Sequence, residues 1–264
     1  FLDRFFKLIS KGASLLKVSI ITATYNRAST IVRALESINN QNYPNIQMIV
    51  IDGASSDNTI SLVEKRLGDG DMLISEPDDG IYDALNKGLD KATGEIIAFL
   101  HSDDFYFHDE VISRVVDQFS DKNVDVVYGD VSFFSEFAIH KTKRVYQSDQ
   151  LSEKNLAWGK MPAHPAIFVR SRIYDSIGHF ETGFEIAADY EFLCRMVKIP
   201  NLKTFYLPSI LVRMQIGGVS TGGFRNTVKL NKEVLRALRH NGIYSNLFMI
   251  LSKYFSKSLQ FLRA

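Results

Sequence analysis

Cysteine is almost missing from this 264-residue chain: Cys194 stands alone, so no disulfide framework holds the fold together. No C-x-x-C pair and no His/Cys cluster points to structural zinc. Six prolines and 16 glycines are too few for a fibre or a low-complexity chain. No apolar run nears the roughly 18 to 20 residues that span a bilayer; stretches such as IAFL and LFMIL stop after a few residues. Lys7 and Lys11 interrupt the apolar start, and no small-residue cleavage pattern follows, so a signal peptide is not expected there. Charge of one sign is also lacking: 31 Lys+Arg oppose 30 Asp+Glu, and with 45% hydrophobic residues this excludes a disordered chain. What is left is a globular protein with a sizeable core, either one large domain with appendages or two small ones.

The net charge of +1 conceals a segregation. Residues 1–17 carry +3 and residues 234–264 carry +5, with Arg236, Arg239, Lys253, Lys257 and Arg263 and no acid, which leaves 18–233 at −7. The body is acidic and both ends are basic. The tail from Tyr244 places Leu247, Leu251 and Tyr254, with Phe248, Phe255 and Leu262, along one helical side, an amphipathic pattern. Such a helix suits an anionic lipid interface, or it packs on the body or on a second subunit.

From Val18 onward, short β-rich apolar runs alternate with helical periods, the pattern of a parallel sheet with crossover helices. Strands are expected at VSIITA (18–23), IQMIVID (46–52), DMLIS (71–75), EIIAFL (95–100) and VDVVYGD (124–130). Between them, Ile31, Leu35 and Ile38, then Leu62, Val63 and Leu67, then Ile81, Leu85 and Leu89, then Val111, Val115 and Phe119 mark helices. Ser29 or Thr30 is expected to cap the first. The second half is less regular. It holds strand-like pieces at VSFF, KRVYQ, AIFVR, KTFYL and ILVRMQI, a helix over about 186–198 and another from Phe224. With no repeat and no low-complexity linker, the halves read as one domain.

In open α/β sheets, ligands bind outside the carboxyl ends of the strands. Asn26 and Arg27, Asp52, Glu76 to Asp79, and Asp103 with Asp104 all fall at such ends. Asp57 and Ser56 are readily explained as turn formers. The Asp103-Asp104 pair is not, because two adjacent acids after an apolar strand repel each other unless a cation is near. Neither GxxxxGK[ST] nor GxGxxG follows the first strand, so a nucleotide here is not held by a glycine-rich cradle. Hard oxygen ligands suit Mg²⁺ or Mn²⁺, which in turn neutralises a diphosphate. Asp52 is placed to accept a hydrogen bond from a base and Tyr25 to pack on its ring.

Four segments taken together, VSIITATYNRASTI, VIDGASSDNT, ISEPDDGIYDALNKGLDKATGEIIAFLHSDD and AADYEFLCR, resemble glycosyltransferase family 2, the inverting GT-A transferases of bacterial surface-polysaccharide assembly. The likeness covers about residues 18–220. It implies a GT-A α/β fold in which a Rossmann-like nucleotide-sugar half (18–130) merges with an acceptor half (131–223), preceded by the basic segment 1–17 and followed by a helical region at 224–264. By position, Ala23, Tyr25 and Asp52 would hold the nucleotide base. Asp104 would bind Mn²⁺ or Mg²⁺, and Asp103 the ribose or the metal. Asp189 would be the general base. Three positions depart from the family pattern: His101 stands where many members have the first Asp of the DXD motif, Gly53 replaces an Asp, and Ala188 replaces a Glu.

Other residues stay open between a role in the site and a structural one. Asp83, Asn86 and Lys87 either contact sugar or diphosphate or lie on a helix surface; Asp83 is counted among the nucleotide contacts. His164 in PAHPAIF either touches donor or acceptor or is a satisfied structural histidine. Trp158 either stacks on an acceptor sugar or anchors its loop. Arg213 and the GGVSTGG stretch (217–223) suit closure over the donor or a plain connection. Cys194 reads as a small core residue.

The expected function is metal-dependent transfer of a sugar, with inversion, from a UDP-linked or similar donor to a glycan or lipid-linked hydroxyl. The expected place is cytoplasmic, at the inner face of the membrane, with peripheral membrane contact through the basic ends or a homodimer as the open alternatives and no nucleic-acid partner. A catalytically silent nucleotide-sugar-binding subunit is the alternative. A nucleotidyltransferase would want a basic Gly-rich loop where TATYNRAST offers only Arg27.

Overall fold

The computed structural model describes residues 15–148, 150–217 and 223–252. Most of the basic start, most of the GGVSTGG stretch and the tail from Lys253 lie outside the described residues. Strand β1 (Val18–Thr24) pairs in parallel with β2 (Ile46–Asp52) on one side and β4 (Ile96–Phe99) on the other, and β3 (Met72–Ser75) extends the sheet beyond β2. Helices α1 (Ile31–Asn39), α2 (Thr59–Glu64) and α3 (Ile81–Lys91) make the crossovers.

Every residue of β1 is buried, because both faces of the sheet are covered. Ile21, Ala23, Ile49 and Ile51 join Leu85 and Leu89 of α3 in one core. Val18, Ile20, Met48 and Val50 join Ile31, Leu35 and Ile38 of α1 in the other. Strands covered on both sides read as unbroken apolar runs, which is why β1, β2 and β4 were visible in the sequence, whereas β3, at the sheet edge, is half-exposed. Thr30 occupies the N-cap of α1, but its buried hydroxyl has no partner among the described residues. The expected side-chain cap is therefore not formed.

Beyond β4 the parallel pattern ends. The later strands are β5 (Phe105–Tyr106), β6 (Val126–Ser135), β7 (Ala138–Tyr146), β8 (Ile167–Arg170) and β9 (Thr204–Gln215). Among the described residues the sheet has nine strands in the order β3-β2-β1-β4-β8-β6-β9-β5, with β7 also on β6. Strand β8 is antiparallel to both β4 and β6, while β9 runs parallel to β6. The strand expected at 124–130 continues through VSFF, so the division anticipated at residue 130 falls inside β6. KTFYL and ILVRMQI likewise join into one strand through Pro208. Proline has no N–H for the ladder, and around it the β6–β9 register shifts between Tyr128 and Val131.

The remaining helices are α4 (Val111–Gln118), α5 (Glu153–Ala157), α6 (Ser171–Ile177), α7 (Ala188–Met196) and α8 (Phe224–His240). A further helix starts at 247 and is described to 252. In it Ile250 is buried, while Leu247 and Phe248 are exposed together with Tyr244. Cys194 is a buried free thiol, as expected, and burial pushes its pKa up. Among the described residues no helix is long and apolar enough to cross a membrane.

Gly88 sets how closely α3 lies on the sheet. A Cβ there would fall inside contact distance of Ile21 Cγ2, in fully buried β1. Gly88→Ala should therefore destabilise the fold by about 1–3 kcal/mol through overpacking, even though alanine is the better helix former. Chemical denaturation of the two proteins checks this; an equally or more stable variant would contradict the close approach.

Candidate active site

Strands β1 and β2 end at Thr24 and Asp52, and the loops that follow them are zipped together. Tyr25 is 60% exposed. Asn26, held at a positive φ of 50°, donates its backbone N–H to Ser55 Oγ (2.8 Å) and accepts at its side-chain oxygen from Ser56 N (2.9 Å). Asp57 accepts from Ala28 N (3.2 Å) and from Thr59 N (2.9 Å), the turn-forming role expected of it. Asp52 is fully buried. Its oxygens accept from Ser55 N (2.8 Å), Ser55 Oγ (2.5 Å) and Ser75 Oγ (2.8 Å). Asp52 thus organises the end of β2 in this state of the protein, and Ala23 is buried beside it in β1. At Gly53 a Cβ would lie 2.5 Å from Asp78 Oδ2 and 3.5 Å from the Tyr25 ring. The Asp78 carboxylate, from the β3–α3 loop, thus fills the space beside Gly53 that a side chain there would need.

Strand β4 runs into Leu100-His101-Ser102-Asp103-Asp104, where Asp104 N closes a turn on His101 O at 3.0 Å. Asp104 is only 3% exposed and accepts from Gln215 N at 3.0 Å through Oδ1. Burial, reinforced by the negative charge of Asp103, holds its carboxyl well above the usual range. Arg33 of α1 comes close without an ion pair: it donates to the Asp103 carbonyl (3.1 Å) and to Gln215 Oε1 (3.0 Å). Its guanidinium and that of Arg213 lie over the edge-to-face rings of Phe105 and Phe134. Arg213 Nε and one terminal nitrogen are buried without a partner among the described residues. Arg213 therefore belongs to the surroundings of the acid pair.

Asp189 stands in the first turn of α7, where a negative charge is favoured. It is half-buried, and its Oδ1 accepts from Tyr190 N (2.8 Å) and from the hydroxyl of Tyr82 of α3 (3.2 Å), whose single proton is shared with Ile186 O (2.8 Å). Oδ2 takes no hydrogen bond among the described residues. Burial pushes the carboxyl up to about 6, with the charge of Glu233 adding to the rise. Asp189 shares a small recess with His164, Phe99 and Tyr174. The His164 ring stacks on Phe99 at 4.9 Å and lies 5.8 Å from the His101 ring. Burial lowers His164 to about 3 and His101 below its ordinary value, so both are neutral imidazoles at pH 7. His164 thus links the Asp189 recess to the turn that carries Asp103 and Asp104.

Other expected residues are placed less directly. Asn86 clamps the backbone of Phe180, donating to its carbonyl at 2.9 Å and accepting from its N–H at 3.0 Å. Asp83 accepts from Asp79 N and pairs with Lys87 (3.1 Å), which also meets Glu76 (3.0 Å). Asp83 and Lys87 therefore brace the loop after β3. Trp158 follows α5 and is 37% exposed. Sequence reasoning missed Glu233 and Tyr82, because each acts on residues about 45 to 107 positions away and leaves no local signal.

Only two carboxylates, Asp103 and Asp104, come together at the turn, and no group of three or more metal-ligating side chains occurs among the described residues. A divalent ion that keeps waters and takes its other ligands from substrate phosphates needs no more than that. A buried Asp104 with its carboxyl driven upward fits such an ion.

The profile described as glycosyl transferase family 2 matches residues 19–177, more than half of the chain. The chain belongs to glycosyltransferase family 2. Within this family it is 29% identical over 224 residues to the PGL/p-HBAD biosynthesis glycosyltransferase of Mycobacterium bovis BCG, covering 83% of each chain. It is 34% identical over 183 residues to an uncharacterized glycosyltransferase of Mycobacterium tuberculosis, covering 67% of this chain and 68% of the relative. It is thus a glycosyltransferase enzyme. Among solved structures, Staphylococcus aureus TarS 1–349 in complex with UDP-GlcNAc superposes with a TM-score of 0.66 at 20% identity, covering 88% of this chain and 68% of that one. The longer TarS chain is covered to 40%. The mannosyltransferase PcManGT of Pyrobaculum calidifontis, in complex with GDP-Man and Mn²⁺, gives 0.61 at 19% identity over 94% of this chain and 79% of that one. These structures share the GT-A fold expected from the family motifs.

The Tyr82 hydroxyl stabilises the charged form of Asp189. Tyr82→Phe removes a bond of about 1 kcal/mol and should move the Asp189 midpoint upward from about 6. Carboxyl ¹³C NMR titration reads this shift; an unchanged or lower midpoint would show that the hydroxyl serves only Ile186.

Proposed function

We propose that this glycosyltransferase moves a sugar from a nucleoside-diphosphate donor, UDP-linked, to a hydroxyl of a glycan or lipid-linked acceptor, with inversion and with Mn²⁺ or Mg²⁺, in the assembly of a surface glycan. One observation carries the reading. Asp189, half-buried with its carboxyl raised to about 6 and one oxygen left open, is joined through His164 and His101 to the Asp103-Asp104 pair, of which Asp104 is buried, at the switch point of the parallel part of the sheet. The complexes of TarS with UDP and UDP-GlcNAc, and of PcManGT with GDP-Man and Mn²⁺, support a nucleotide-sugar donor on this fold.

As the diphosphate leaves, positive charge develops at the anomeric carbon and negative charge on the leaving group. Asp103 and Asp104 would hold the ion, which supplies Lewis-acid stabilisation of the diphosphate when bound. Tyr25, open and beside Gly53, offers a ring face to the base. The acceptor hydroxyl attacks from the face opposite the leaving group, so the configuration inverts. Asp189 Oδ2 takes its proton while Tyr82 and the Tyr190 N–H hold Oδ1 in place. A base with a pKa near the working pH is efficient because it is charged at pH 7 and still accepts a proton well. His164 and His101, both neutral, wall the space between base and donor without adding charge.

The basic ends and the exposed Tyr244, Leu247 and Phe248 support a further part of the reading: contact with an anionic membrane face where a lipid-linked acceptor resides.

A panel of nucleotide sugars, scored for protection against thermal unfolding with and without Mn²⁺, identifies the donor. Asp189→Asn should then lower turnover by about 10²- to 10⁴-fold while donor affinity by calorimetry stays within about twofold. Retained turnover removes Asp189 from the reaction. In the wild type kcat should rise with pH through about 6, since the base must be deprotonated, and level off above it; no loss of rate at pH 5 would contradict the assignment. Asp104→Ala should weaken Mn²⁺-dependent UDP binding in the same calorimeter, and equal binding would move the metal elsewhere.

A further inference from the structure

Helix α7 has no cap of its own. Its N-cap residue is Ala187, which has no side-chain hydrogen bond to offer. The N–H groups just ahead of the helix are met from α8, nearly fifty residues later. Glu233, 8% exposed, accepts from Glu185 N (3.1 Å), Ile186 N (2.9 Å) and Ala187 N (3.0 Å) with its two carboxylate oxygens. Flanking it on the same helical face, at spacings of four and three, Lys229 pairs with Glu185, and Arg236 donates to Gly183 O (2.6 Å) and covers the Phe184 ring at 3.9 Å. One face of α8 thus grips residues 183–187, and Asp189 is the second residue after them.

We infer that Glu233 is a positioning residue for transfer: by holding the 185–187 backbone and placing its carboxylate behind Asp189, it sets the aim of the base and the electrostatic surroundings in which it works. This rests on Asp189 being the base, as proposed above. Burial alone could keep the segment folded with an uncharged cap. A carboxylate accepts from all three N–H groups, whereas a carboxamide at the same place turns an N–H₂ toward at least one of them. The charge has a second effect, since a neighbouring negative group disfavours ionisation of Asp189, and Glu233 contributes to its rise in this way. The other titratable groups facing Asp189 are Tyr82 from α3 and His164 and Tyr174 across the recess. His164 is neutral in the working range, as is Tyr174, whose pKa burial raises. Of the charged side chains, Glu233 is the one whose field raises the Asp189 carboxyl.

The test is Glu233→Gln in the full chain, read by thermal melting, by calorimetry with UDP and Mn²⁺, by kcat against pH with the best donor of the panel, and by carboxyl ¹³C titration of Asp189. Expected are unchanged UDP affinity, a kcat lower by about 10- to 100-fold, the range for a misplaced catalytic group, and a downward shift of both the acid limb of kcat and the Asp189 midpoint. A merely structural role would lower the melting temperature and leave both midpoints where they were, and that result overturns the inference. If Glu233→Gln does not fold, the more exposed Arg236→Gln carries the test: kcat should fall severalfold with UDP affinity unchanged, and an unchanged kcat overturns it. Loss of transfer in Asp189→Asn with none in Glu233→Gln rejects the positioning role alone. Retained transfer in Asp189→Asn rejects the base instead, and the ¹³C titration still reports whether Glu233 governs that carboxyl.

Discussion

Taking a carboxylate out of water is expensive unless donors or cations replace the water, and this constraint shapes the carboxyl rim of the sheet. Three aspartates meet it in three ways. Asp52 is supplied by the chain itself, through Ser55 of the following loop and Ser75 of β3, and so behaves as part of the architecture. Asp104 receives one backbone N–H, with Arg33 near but engaged elsewhere. Asp189 receives two hydrogen bonds on a single oxygen. The latter two carboxylates are driven toward protonation. A rim that leaves two buried acids under-supplied is unstable toward whatever brings the missing positive charge, be it a divalent ion or a proton.

The elements around these acids explain how they are held. Strands β1, β2 and β4 are buried on both faces, so their ends cannot shift without disturbing two cores. Asn86 ties α3 to Phe180, Tyr82 ties it to Ile186, and Glu233 ties α8 to the same loop. Asp189 is therefore held directly by Tyr82 and indirectly by Asn86 and Glu233 through the segment before it.

Much of this could be read from the residues in order. Strands β1 to β4 announce themselves as apolar runs, and their terminal acids follow from strand ends alone. Cys194 and Asp57 were also legible, because burial of a small apolar residue and turn formation by Asp are local habits. The second half was harder for reasons that can be named. Strand β5 has two residues and no periodicity, Pro208 divides β9 into two apparent strands, and the antiparallel insertion of β8 between β4 and β6 depends on long-range pairing that no local pattern encodes. In the site, Asp104 and Asp189 stood out by motif, whereas Glu233 sits in an ordinary basic amphipathic helix and gains its meaning only from what packs beneath it. Asn86, in turn, resembles a ligand contact in the sequence and spends its amide on Phe180.

The proline-centred irregularity in β9 has a numerical consequence. Ahead of it Tyr128 faces Tyr206, and beyond it Val131 faces Val212, so β9 uses three more residues than β6 to cover the same distance. Because side chains alternate across a strand, an odd excess reverses which face the rest of β9 presents. Arg213 reaches Phe105 and Phe134, and Gln215 reaches Asp104 and Arg33, only with that parity. In the stretch from 207 to 211 chain length therefore matters as well as the buried Leu207 and Leu211: a gain or loss of one residue there would turn the other face of β9 toward the acid pair and give it a different wall.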